Sequence, residues 1–75
     1  MDEKSEPLTK REREVLELLV AGYTTNRVAV QLGISFKTAA THRATIMSKL
    51  RVHDAASMVR EAIQRGLVVL APPKE

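Results

Sequence analysis

The chain has 75 residues, room for one domain, and a domain of this size buries only about 60% of its unfolded surface, so its core must be economical. Twelve Lys and Arg against nine Asp and Glu leave a formal charge of +3, a balance that permits a polyanionic partner, while the lack of Cys excludes disulfide staples and thiolate metal sites. No run approaches the ~18 apolar residues of a membrane span, and the acidic Met1-Asp2-Glu3 start is wrong for a secretory signal, so a cytoplasmic location without membrane association is expected.

Residues 1–7 are polar and end in a Pro, the pattern of a flexible tail or linker remnant. Leu8-Thr9-Lys10-Arg11-Glu12 then reads as a helix start. Thr9 is placed to cap, Glu12 to return the bond as a capping box, and Leu8 to staple onto the first turn. A first helix is predicted from Lys10 to Val20, closed by a left-handed Gly22. Its apolar residues are broad enough to suggest contacts on more than one side. A short second helix, capped by Thr24 or Thr25, should bury Val28, Ala29 and Leu32. Gly33 supplies the positive φ that a tight two-helix corner needs, and Ile34 should plug the core beneath it.

Ser35 caps the stretch on which the rest depends, a third helix running to Leu50. At about 100° per residue, Ile46 and Leu50 fall within roughly 20° of Ala39 and form a narrow inner stripe. Lys37, Thr41, Ala44 and Ser48 cluster on the opposite face, flanked by Ala40 and Thr45. An ordinary solvated helix displays long Glu and Lys side chains. A helix entering a groove needs small ones near the floor, and this outer face fits that second design. From Ser35 to His53 the chain carries Lys37, Arg43, Lys49 and Arg51 and no acid, whereas the acids gather mainly between Asp2 and Glu17.

Arg51-Val52-His53 reads as a connector and Asp54 as the cap of a fourth helix to Arg65, closed by Gly66, with Met58, Val59, Ala62 and Ile63 facing inward. Leu67 to Leu70 should fold back over the core, putting the domain at residues 8–70, and Pro72-Pro73 ends regular structure before a short flexible tail at 71–75. The fold class is therefore all-α, four helices with a Gly corner between the second and third, which is the outline of a helix-turn-helix.

The residues at particular positions carry a closer likeness. Leu8-Thr9-Lys10-Arg11-Glu12-Arg13-Glu14-Val15-Leu16, Ala21-Gly22, Val28-Ala29, Leu32, Ile34-Ser35, Thr38, His42, Ile46, Lys49-Leu50, Val52 and Gly66-Leu67 resemble the LuxR-type (GerE-like) DNA-binding domain. His42-Arg43-Ala44 with Met47 looks most like the NarL/FixJ response-regulator branch. The resemblance implies a transcription regulator that binds duplex DNA as a homodimer. Its third helix would enter the major groove, its second would cross the backbone, and its fourth would form the dimer contact. It also implies a receiver or sensor domain in a longer parent protein, or else a stand-alone regulator, with RNA polymerase as a further candidate partner. No cofactor, metal or enzymatic activity is expected.

Departures from the family pattern fall where DNA would be read. Ala40 and Ala44 stand where Lys, or at the second position Lys or Asn, is common, so hydrogen-bonding readout is depleted. Thr24-Thr25-Asn26-Arg27 replaces the usual Ser-Asn-Lys-Glu, and Ala55 replaces a common Arg. Lys37 can reach a base edge or a phosphate, or remain a solvated Lys. Thr41 can offer its hydroxyl to a base and its methyl to thymine, or be a neutral surface residue. Ala40 and Ala44, with Thr45 beside them, permit close approach more than they specify. Thr38 and Thr25 suit a phosphate at a helix start, although simple capping explains either. Arg43 can lay its stem on the core and extend its guanidinium to the backbone. Lys49 and Arg51 are backbone neutralisers or solvated charges. His42 has no Ser, Cys or carboxylate partner at helical spacing, so a half-buried or phosphate-facing role outweighs catalysis. Ala55, Met58 and Ala62 form either a dimer patch or core. The rival reading is a helical protein-interaction module that uses the same outer face of the third helix.

Overall fold

The computed structural model describes residues 8–68, which form four helices: α1 (Lys10–Val20), α2 (Thr25–Leu32), α3 (Phe36–Leu50) and α4 (Ala55–Gln64). The expectations of tails at 1–7 and 71–75, and of Val69-Leu70 folding back, lie outside the described residues. Each helix begins at a side-chain cap that satisfies an otherwise orphaned backbone donor. Thr9 and Glu12 form the reciprocal capping box, and Thr24, Ser35 and Asp54 accept from the amides of Arg27, Thr38 and Ser57. The choice left open between Thr24 and Thr25 falls to Thr24.

Helix ends are equally local in origin. Beyond α1 the Tyr23 amide donates to the Leu18 carbonyl at 3.0 Å, which requires Gly22 at φ 103°. Beyond α2 the Ile34 amide donates to the Ala29 carbonyl at 3.0 Å around Gly33 at φ 69°, setting the corner that aims α3. Among the described residues one non-glycine takes a left-handed backbone: Arg51, φ 61°, which ends α3 where a Gly or Asn would be cheaper.

The core gathers Val15 and Leu16 from α1, Val28 and Ala29 from α2, Ala39, Ile46 and Leu50 from α3, and Met58 and Ala62 from α4. Val68 closes it from the far end, with Leu8, Ile34 and Leu67 packed against it. The small residues Ala29 on α2 and Ala39 on α3 are both buried in this core, and their size suits the close packing of these two helices. α3 packs against all three of the other helices. Two inward assignments on α4 differ: Val59 is half-buried and Ile63 is 38% exposed. The pairing of Met58 with Ala62 already fills the contact, and a ten-residue helix touching the core along one ridge leaves its flank outside.

Candidate nucleic-acid interface

The face of α3 turned from the core is the one the residue spacing selects. Lys37, Thr38, Thr41, Ala44 and Ser48 are exposed, while Ala40, His42, Arg43 and Thr45 are half-buried along its flanks. Ser35 fixes the start of this face. Its hydroxyl oxygen accepts the Thr38 amide at 3.0 Å, and its own hydrogen goes to the Thr38 hydroxyl at 2.9 Å. The Thr38 proton is thereby left to donate outward, beside a helix N-terminus whose dipole favours an anion. Thr25 opens α2 and is half-buried, next to the exposed capping residue Thr24.

One residue at this entrance escaped the sequence reading. Phe36, the sole Phe of the chain, begins α3 and is 57% exposed beside Lys37. Position 36 lies only about 60° from the Ala39–Ile46–Leu50 stripe by helical period, so spacing puts the ring at the edge of the inner face and does not reveal that it stands in water. At the other end of α2, Arg27 lies over the Tyr23 ring, 5.9 Å from its centroid, so the cation that replaces the family's acid is held against the ring.

Lys49 belongs elsewhere than expected. Its ammonium is 2.8 Å from a Glu12 carboxylate oxygen, across the α1–α3 contact, with side chains 14% and 8% exposed. It therefore leaves the set of DNA-facing cations and joins the fold. The same carboxylate accepts the Thr9 amide at 3.0 Å. Burial alone would raise the Glu12 pKa. The hydrogen bonds from Lys49 and Thr9 and the charges of Lys49 and His42 outweigh it, holding the carboxyl below its ordinary value. His42 thus sits within electrostatic reach of the Glu12 carboxylate rather than beside a nucleophile. A contact 37 residues apart in sequence has no local signature, which is why spacing could not find it.

The fourth-helix patch also changes. Met58 and Ala62 are buried at 1% and 0% exposure and are core residues, so neither can face a second subunit. Ala55 is exposed, and the outer flank of α4 is completed by Ala56, Val59 and Ile63. Among the described residues no three His, Cys, Asp or Glu side chains converge as metal ligands, and no helix is long and apolar enough to cross a membrane.

This arrangement has close parallels. A family described as bacterial regulatory proteins, luxR family (GerE), matches residues 6–62. The transcriptional regulatory protein MctR of Rhizobium johnstonii is 43% identical over 68 residues, covering 91% of this chain and 32% of that protein. UhpA of Escherichia coli, also a transcriptional regulatory protein, is 44% identical over 57 residues, 76% of this chain and 29% of its own length. The solved structure of the transcription factor GerE superposes with a TM-score of 0.74 at 38% identity, covering 80% of this chain and 90% of that one. The chain therefore spans about a third of the length of such curated relatives as MctR. Four helices, a Gly corner and a cationic outer face on α3 thus coincide with similarity along most of the chain, and the protein belongs to the luxR family of bacterial regulatory proteins, as an all-α domain with a helix-turn-helix.

Proposed function

We propose that the chain binds duplex DNA in a sequence-dependent way, with α3 in the major groove and the start of α2 against the phosphate backbone. The observation that carries this reading is the outer face of α3: exposed, small in its middle, bearing Lys37 in its first turn, and free of acid from Phe36 to His53. Lys37 and Thr41 contact base edges, Ala40 and Ala44 allow close approach and touch thymine methyls, and Thr38, Thr25, Arg43, Thr45 and His42 line the backbone and groove walls. Phe36 adds apolar contact at the entrance.

Two copies bind together through the outer flank of α4, and each reads one half-site, about 10 base pairs or a multiple of it from the other. In a longer parent protein a receiver or sensor domain controls that pairing, and the bound regulator acts on RNA polymerase in the cytoplasm. Selection of duplexes from a random pool, followed by nuclear magnetic resonance of the chain with the winning duplex, tests this. Perturbations should concentrate on α3 and the start of α2. Binding that persists at high salt and ignores Lys37→Glu would favour the protein-interaction reading.

A further inference from the structure

At the corner between α3 and α4 a shallow depression is lined by Ala44, Met47, Ser48, Arg51, Val52 and His53. Ala44 and Ser48 belong to the exposed stripe that begins at Lys37, and the spacing 37, 41, 44, 48, 51 carries that stripe to Arg51. Arg51 and His53 are both exposed. The nearest acid in sequence, Asp54, is engaged as the α4 cap, accepting from the Ser57 amide at 3.0 Å and the Ser57 hydroxyl at 2.8 Å.

The backbone beneath Arg51 is left-handed, φ 61°, a conformation that crowds a Cβ against the following carbonyl oxygen and that glycine adopts without that strain. Nothing in the cap geometry asks for Arg. The bond that ends α3, from the Val52 amide to the Met47 carbonyl at 3.0 Å, is made by backbone alone and would form with Gly. The chain thus tolerates strain to keep a guanidinium at this corner.

Fourteen positions separate Lys37 from Arg51, about 21 Å along a helix. The major groove is about 12 Å wide and winds around the duplex, so a straight stripe of that length cannot stay over base edges throughout. With Lys37 at the floor, the far end crosses a wall of phosphates. We propose that Arg51, with His53 beside it, seats a DNA phosphate at the C-terminal end of α3. The seat anchors the helix in the groove while its middle, poor in hydrogen-bonding side chains, stays close to the bases. This rests on the proposed DNA reading and adds to it a contact that positions the helix without specifying sequence.

The test uses the 75-residue chain, a duplex recovered by selection and a scrambled duplex of equal length. Arg51→Gly relieves the left-handed strain, so its melting temperature should equal or exceed that of the parent, which removes misfolding as an explanation. Its affinity should fall on both duplexes alike, and the slope of log affinity against log salt should drop by about one. The deficit relative to the parent should therefore shrink about three- to fourfold between 50 and 200 mM salt. Arg51→Lys should keep the salt slope. Unchanged binding by Arg51→Gly overturns the phosphate seat and leaves the DNA reading standing, as does a loss confined to the selected duplex with its salt slope intact. Failure of the parent chain to bind any selected duplex overturns both.

Discussion

Lys37 leaves α3 one residue after its first helical position, exposed and unobstructed by larger neighbours on its stripe, since Thr41 and Ala44 follow it. A Lys so placed discriminates between bases only if it reaches an edge atom. Lys37→Ala should therefore cost about 1–3 kcal/mol on a selected duplex and relax preference at one position. Fluorescence anisotropy with selected and scrambled duplexes checks this, because an equal loss on both would assign the residue to a phosphate. At this scale the sequence was legible where a residue's environment is local. The caps at Thr9, Ser35 and Asp54 follow from side-chain chemistry three residues away, and the outward stripe follows from helical period alone. It was not legible for Lys49, whose partner lies on another helix, nor for Arg51, whose left-handed backbone is atypical of Arg.

Between elements, two contacts hold α3 in its aim. The first is apolar: Ile46 is fully buried, at 0% exposure, among residues from the other helices. Ile46→Ala should lower stability by about 2–5 kcal/mol in denaturant unfolding, the cost of a core truncation with incomplete collapse. The second is the ion pair of Glu12 with Lys49, which joins the capped start of α1 to the last turn of α3. Because the folded Glu12 carboxyl lies below its ordinary pKa, its stabilisation is complete above the unfolded carboxylate range. That stabilisation is lost as pH falls through the depressed folded value. Asp54, also lowered by the amide and hydroxyl of Ser57, shifts stability in the same direction. Lys49→Met removes the hydrogen bond and the charge of Lys49 that hold the Glu12 carboxyl down, leaving burial opposed only by the Thr9 amide and the His42 charge. The variant should be about 3 kcal/mol less stable at neutral pH. Its deficit against the parent should narrow on acidification, which thermal melts at paired pH values would show; a constant deficit would mean that Glu12 is not the group involved. Fold class, the four helices and the corner were all readable before the structure, because each rests on periodicity and end signals. The α4 assignments erred at Ile63 because hydrophobicity says which residues want burial, whereas Met58 and Ala62 had already taken the available contact.

For the whole molecule the open surface is what matters, and among the described residues its large exposed apolar side chains are Val30 on α2, Phe36 on α3 and Ile63 on α4. Met58 and Ala62 face inward, so the pairing proposed for α4 rests on Ala55, Ala56, Val59 and Ile63, a shallow patch in which Ile63 is 38% exposed. Such a patch is small beside the roughly 800 Å² per partner of a stable interface, so the isolated chain should pair weakly, and chiefly when two half-sites on one duplex raise its local concentration. The expectation is then specific. Ile63→Asp, exposed and outside the core, should leave the melting temperature within the range of surface changes, about ±0.5 kcal/mol, and leave affinity for a single half-site unaltered. On a duplex with two half-sites it should abolish cooperative occupancy, because a carboxylate at the centre of a small apolar contact loses its water without gaining a partner. Gel shifts on one-site and two-site duplexes separate the terms: loss on both would place Ile63 against DNA, and loss on neither would remove α4 as the pairing surface.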